Sequence, residues 1–221
     1  MHVFIRKKYS IRLYSIKAVF VSMVLVILML MSGLCFAEDT SFRDVRGHWA
    51  ESYVSALVEK GSVSGMPDGL FYPDDNITFP QFVTIIISGE YGAQMPVNEH
   101  WASGYMQMAL EKGLIDAGDL KKTEDITRFE AVRLVSNALS YIFEEEEVID
   151  IMSVPDFLDF ADCRICQDNY SYARQCHVKG IVVGRPSPDG NFFDGDNNLS
   201  RAEGCAILMR MLAPELRTPP L

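Results

Sequence analysis

DITRFEAVRLV, residues Asp125–Val135, sets a Thr-x-x-Glu tetrad directly before an apolar run. Thr127 fits an N-cap, where its hydroxyl accepts the backbone N–H three residues on. Glu130 at N3 reaches back to the Thr127 N–H. That reciprocal capping box predicts a helix start and is worth about 1 kcal/mol. The pattern returns at LSRAEGCAILM (Leu199–Met209) with Ser200 and Glu203. A weaker version stands at ITFPQFVTIII (Ile77–Ile87), with Thr78, Gln81 and a Pro80 that a first turn tolerates. One helix start therefore occurs three times.

The capping box explains Thr, Ser and Glu but not the residue between them. Arg128 and Arg201 fall at N1, beside the positive end of the helix dipole, where a cation is mildly unfavourable. Two tasks would justify an Arg in that place. It could hold a carboxylate of a neighbouring copy, or its planar fork could grip an anionic ligand. Sequence physics leaves both open.

Upstream of each start lies a second repeated segment. GHWAESYVSALVEKGSVSG (Gly47–Gly65) and EHWASGYMQMALEKGLIDA (Glu99–Ala117) share His-Trp-Ala, Tyr and Glu-Lys-Gly in register. QDNYSYARQCHVKGIVVG (Gln167–Gly184) keeps Tyr172 and Lys179-Gly180 but has Asp168 in place of Trp49 and Trp101. Helical spacing of the apolar residues predicts a helix in each copy, stopped at Gly61, Gly113 and Gly180. Turn-rich loops such as GMPDGLFYPDDN and GRPSPDGNFFDGDNN follow. The unit is helix–loop–helix, in copies over 42–92, 94–143 and 157–213. Residues 144–156 read as an acidic connector whose Glu144–Glu147 are solvated, and 214–221 as a frayed tail.

The 221 residues are 48% hydrophobic, enough for a packed core. Residues 1–37 predict an export signal. Five basic residues precede the apolar run Ala18–Leu34, and Cys35-Phe-Ala37 offers a small-residue exit. The competing reading is an uncleaved anchor, the one route by which this chain would meet a membrane. Without the signal the chain has 15 basic against 30 acidic residues, a formal net of −15. That balance excludes a phosphate-tracking nucleic-acid binder. An anionic ligand must instead be caught locally, by a few placed Arg side chains or helix N-termini.

The ordered set Phe42-x-Asp-Val45, His-Trp-Ala, Tyr, Lys-Gly, Asp68-Gly-x-Phe71, Pro73 and Ile-Thr resembles an S-layer homology repeat. DITRFEAV and NLSRAEGC are similar to that family's Ile-Thr-Arg-Ala-Glu signature. Three copies behind a signal peptide is the family's usual arrangement. The resemblance implies an all-α fold, three repeats packed as a pseudo-threefold helical bundle with loop prongs. It also implies an exported, non-enzymatic module at the cell surface, in the wall or S-layer, without an effector domain of its own. Its partner would be cell-wall polysaccharide, either a pyruvylated secondary polymer or a glycan linked to peptidoglycan. Arg128 and Arg201 would hold the acidic sugar, with Thr127 and Ser200 building the helix starts that aim them. Trp49 and Trp101 would face a sugar ring, or alternatively pack in the bundle. The competing function is a surface protein partner, contacted through Glu144–Glu147 and the third copy. The departures are specific. Copy one has Phe79 where the Arg belongs, so it is expected to lack an anion site. Copy two lacks Asp-Gly-x-Phe, and copy three lacks the Trp.

Cys163, Cys166, Cys176 and Cys205 all fall in copy three. Three states are open: reduced core thiols, one or two disulfides, or a zinc site begun by Cys163-x-x-Cys166. Cys176 takes the place of Leu57 and Leu110, and Cys205 that of Val83 and Val132, which argues for core thiols. The Asp194 loop has Leu199 and Cys205 where a calcium loop needs Gly and Glu. No nucleophile elbow, phosphate loop or paired-carboxylate motif is present, so neither an enzyme nor a metal or cofactor is expected.

Overall fold

The computed structural model describes residues 42–147, 167–188 and 190–219. The expected signal 1–37, most of the connector, Cys163 and Cys166, and Leu221 lie outside the described residues. The described chain is helical. In order it runs α1 (Glu51–Glu59), α2 (Phe79–Tyr91), α3 (Ser103–Glu111), a 3-10 turn (Ala117–Lys121), α4 (Arg128–Tyr141), α5 (Gln167–Val178) and α6 (Arg201–Leu212). Antiparallel strands β1 (Arg185–Ser187) and β2 (Gly190–Phe192) form a hairpin. That hairpin is the one element the helical reading does not contain. A last 3-10 turn spans Pro214–Leu216.

Each repeated tetrad starts a helix. Thr78, Thr127 and Ser200 are the N-caps of α2, α4 and α6, and all three capping boxes are closed. The first is the looser: Gln81 N–H reaches the Thr78 hydroxyl at 3.4 Å, against 3.2 Å for Glu130 to Thr127 and Glu203 to Ser200. Gly61, Gly113 and Gly180 follow α1, α3 and α5 with φ of 69°, 72° and 71°, left-handed values that end a helix at least cost when there is no Cβ.

The helix starts are joined in a ring. Ile77 N–H donates to Leu199 O, Leu199 N–H to Ile126 O, and Ile126 N–H to Ile77 O, each at 3.0 Å. Isolated bridges Asn76–Ser200, Thr78–Asp125 and Thr127–Asn198 flank them. The residues that precede the caps thus satisfy their backbone groups across copies. Helix pairing is also crossed between copies. α1 packs on α6, α3 on α2 and α5 on α4, so the first helix of each copy lies against the second helix of the copy before it.

The core lies between these pairs. Val54, Met106 and Ala173 face inward from the first helices, as do Leu57, Ala109 and Cys176. The counterpart of Cys176 in copy two is therefore Ala109; Leu110 is only half-buried. Val83, Val132 and Cys205 hold equivalent buried places in the second helices. Cys176 and Cys205 are both buried free thiols. Desolvation pushes both thiols up to about 12, the state of packed, unreactive cysteines.

Two sequence expectations fail at the end of the chain. Glu145 is only partly exposed and is bound within the chain, unlike Glu144, Glu146 and Glu147: Arg217 holds it with two bonds of 2.8 and 2.9 Å, and Lys179 with one of 2.6 Å. The tail does not fray at once after α6. Thr218 N–H bonds to Gly180 O, and Arg217 also caps the carbonyls of Arg210 and Met211.

Candidate functional site

The N1 residue of each copy reaches into the loop of the next. Arg128 Nε donates to Phe193 O at 2.8 Å, and Arg201 Nε to Phe71 O at 2.8 Å. Their guanidinium carbons stand 5.2 Å from the Phe193 ring and 4.4 Å from the Phe71 ring. Phe71 closes the Asp-Gly-x-Phe motif of copy one, Phe193 is the residue after that motif in copy three, and both are fully buried. The loop Phe is thus the seat of an Arg from the preceding copy. In copy one Asp44 fixes that seat. Its carboxylate accepts the N–H groups of Phe71 and Tyr72. Burial opposes the charge, but those N–H groups prevail and hold the Asp44 carboxyl below its ordinary range.

Two grooves result. The first, of about 140 Å³, is lined by Ser62, Gln81 and Thr84 of copy one, Trp101 of copy two and Arg201 of copy three. The second, of about 200 Å³, is lined by Trp49 of copy one, Arg128 of copy two, and Arg185, Glu203 and Arg210 of copy three. Each groove draws on all three copies and holds one N1 Arg and one Trp. Trp49 and Trp101 are 58% and 51% exposed, so their rings are not bundle packing. Nδ1 of His48 and of His100 accepts the N–H two residues on, at 3.2 Å, which fixes the turn carrying each Trp.

The two guanidinium groups differ in what answers their charge. Arg128 is buried and lies 3.5 Å from Glu203, which in turn binds Arg185 at 2.6 Å. Arg128 also donates to Val183 O at 3.2 Å. Arg201 is equally buried but makes no ion pair among the described residues. Desolvation lowers its pKa, since nearby Cys205, Asp75 and Asp44 only partly offset burial. A buried cation without a counter-ion is costly, and an incoming anion would relieve that cost.

The position equivalent to these grooves in copy two carries internal ion pairs instead. Phe79, the copy-one residue at N1, is fully buried, and Lys122 Nζ lies 4.8 Å from its ring centre. Lys122 binds Glu130 at 2.6 Å and Asp119 at 3.0 Å, and Arg133 binds Asp119 at 3.0 Å. The missing Arg therefore removes the cation from the groove on α4, not from copy one's own groove on α2. That revises where the deficient site falls.

Of the residues singled out from sequence, the grooves bring together Arg201 with Trp101 and Gln81, and Arg128 with Trp49 and Glu203. Thr127 and Ser200 act in the caps and line neither groove. Sequence reasoning passed over Ser62, Thr84, Arg185 and Arg210. Ser62 Oγ and Thr84 Oγ1 are buried without a hydrogen-bond partner. Nothing in a lone Ser or Thr signals this, because it follows from how α1 and α2 meet. No group of three His, Cys, Asp or Glu positioned for a metal occurs among the described residues.

Residues 41–83 match the S-layer homology domain. The chain is 25% identical over 80% of its length to an amylopullulanase of Thermoanaerobacterium thermosulfurigenes, of which it covers 10%. It is 27% identical over 53% of its length to a cellulosome-anchoring protein of Acetivibrio thermocellus, covering 30% of that protein. It is 34% identical over 39% of its length to the S-layer protein EA1 of Bacillus anthracis, covering 11%. The chain thus spans a third or less of the length of each of these three relatives.

Proposed function

We propose that this chain is an exported binding module, not an enzyme, that anchors to the cell surface by holding acidic wall polysaccharide in its two Arg–Trp grooves. The observation that carries this reading is Arg201. It is a buried guanidinium without an ion pair among the described residues, set in a groove beside a half-exposed indole. A planar fork that meets a carboxylate while an aromatic face meets a sugar ring is the chemistry an acidic saccharide needs. The resemblance to S-layer homology repeats names the acidic group as a pyruvyl ketal on the secondary wall polymer. A relative that bears the name of a cellulosome-anchoring protein supports surface anchoring. The amylopullulanase is matched over a tenth of its length. The competing protein contact through Glu144–Glu147 is weakened, because Glu145 is already bound inside the chain.

The test is co-sedimentation of the mature protein with purified cell walls, with and without their pyruvyl groups. Wild type should pellet only with pyruvylated walls. Arg128→Ala plus Arg201→Ala should stay in the supernatant, and so should Trp49→Ala plus Trp101→Ala, which removes exposed side chains and leaves the helical circular dichroism intact. Equal pelleting by the Trp pair, or by wild type on walls without pyruvyl groups, would refute the assignment.

A further inference from the structure

We propose that His48 and His100 are positioning residues for the two groove indoles, and that each releases its indole when its ring takes up a proton, so that the grooves hold their ligand less tightly in acid. This rests on the saccharide-binding reading above.

Trp49 and Trp101 stand in turns, not in helices. α1 and α3 begin after them, and the N-cap residues Ala50 and Ala102 have no side chain that can cap. The N–H of each Ala is met instead by the imidazole two residues before it, Nδ1 of His48 or of His100, at 3.2 Å. The same imidazole lies against the indole between them, with ring centres 5.5 Å apart at His48–Trp49 and 5.8 Å at His100–Trp101. One ring thus fixes the backbone beyond the Trp and also touches its side chain.

Elsewhere this chain gives the capping task to hydroxyls, at Thr78, Thr127 and Ser200. Imidazole takes it only where a Trp follows. Copy three has Asp168 in place of the Trp and Gln167 in place of the His. A hydroxyl or amide oxygen accepts an N–H at any pH, whereas imidazole does so only while Nδ1 keeps its lone pair. Imidazole is also the side chain whose charge ordinarily changes between about pH 5 and 8. Once protonated, both its nitrogens are donors, so no flip of the ring restores an acceptor. Nδ1–H then opposes the N–H of Ala50 or Ala102. At His48 the bond to Asp74 does not remove that opposition, because it engages the other nitrogen, Nε2. The positive ends of α1 and α3 add a further small penalty.

The other charged groups around these turns are engaged elsewhere or face water. Glu51 accepts the Gly47 N–H at 2.8 Å, Asp74 holds the His48 ring, and Glu203 holds Arg185 at 2.6 Å. Glu99, beside His100, is exposed. Across the indoles the grooves present Arg128, Arg185 and Arg210 to Trp49, and Arg201 to Trp101, all of them donors. The N–H that a charged ring releases therefore has water as its next partner, and the turn that aims the indole loosens.

The protein contains two Trp residues, so its indole fluorescence reports on these turns alone. A charged imidazole quenches an adjacent indole. The experiment follows that fluorescence from about pH 8 to about pH 5. It also measures the amount of purified wall that retains half the mature protein at about pH 7.5 and about pH 5. Wild type is compared with His48→Asn plus His100→Asn and with His48→Ala plus His100→Ala. The Asn side-chain oxygen takes the place of Nδ1 and accepts the same N–H without titrating. Wild type should dim in acid and need about fivefold more wall there, the scale of one hydrogen bond. The Asn pair should bind as wild type does at neutral pH, bind equally well in acid, and show flat fluorescence. The Ala pair should bind weakly at both. His177, buried and bonded to Val182 O, is present in all three proteins and controls for its own titration. Unchanged retention of wild type in acid, or an Asn pair that loses retention as wild type does, would overturn the proposal. So would an Asn pair that binds weakly at both pH values, which would give the positioning to the ring contact instead. Wild type that does not pellet at neutral pH sinks the wall-binding reading and the binding half of this inference. The half that concerns the turns then stands on dimming that the Asn pair lacks, and falls without it.

Discussion

Replacing Glu145 by Gln tests the clamp that closes the end of the chain. Glu145 accepts both forks of Arg217 and the Lys179 ammonium, which ties the end of α4 to α5 and to the segment after α6. Arg217 above all, then Lys179, outweigh desolvation and bring the Glu145 carboxyl down from 4.5 to about 2. A folded pKa below the unfolded one means that the charged form stabilises the fold. That stabilisation is complete above about pH 4.5 and is lost as pH falls towards 2. The shift corresponds to a ceiling of about 3.5 kcal/mol at about 1.4 kcal/mol per unit. The side chain is 30% exposed. Solvent screening reduces the expected contribution to about 1–2 kcal/mol. At about 2–4 °C per kcal/mol, Glu145→Gln should melt several degrees below wild type at pH 7. The gap between the two proteins should therefore narrow steadily from pH 4.5 to pH 2.5. Thermal unfolding followed by circular dichroism at half-unit steps would show this. Two melting curves that run parallel from pH 7 to pH 2.5 would refute the clamp.

Gly180→Ala should cost more than the same change at Gly113. Both demand a positive φ, worth about 1–2 kcal/mol for an L side chain, but a Cβ at Gly180 would strike the backbone of Thr218 and Pro219 while one at Gly113 meets only the Tyr141 ring at 3.7 Å. Limited proteolysis should then release the C-terminal residues from Gly180→Ala and not from Gly113→Ala. Thr127→Ala and Ser200→Ala should each lose about 1 kcal/mol in urea unfolding, and Thr78→Ala less, since its hydroxyl sits further from the N–H it caps.

The helix starts were legible because a capping box is local: Thr or Ser and Glu or Gln sit three residues apart, and nothing distant is needed to close the bond. The buried thiols were legible for a related reason, since Cys205 stands in register with Val83 and Val132. Glu145 was not. A run of four glutamates reads as solvated, and only the docking of Arg217, 72 residues away, makes one of them structural. Trp49 and Trp101 resisted as well. Helical spacing places them next to core positions, but the turns held by His48 and His100 come before α1 and α3 begin and leave the indoles outside the packed faces.

The departures of the copies from one another look like independent decay when each copy is read alone. The crossed assembly relates them. An N1 residue acts in the loop and groove of the next copy, so the absence of Arg at Phe79 concerns copy two. Copy two is the copy whose loop lacks Asp-Gly-x-Phe, the seat such an Arg would occupy. Lys122 and Asp119, both in that altered loop, supply the cation and the anion that the Arg and the open groove would otherwise leave unmet. The Gln at position 81 likewise faces the Arg of copy three rather than one of its own. Two grooves with different charge and one equivalent position held by ion pairs are therefore paired changes across copy boundaries. Such pairing is the physical ground for treating each groove, and not each repeat, as the unit on which substitutions act.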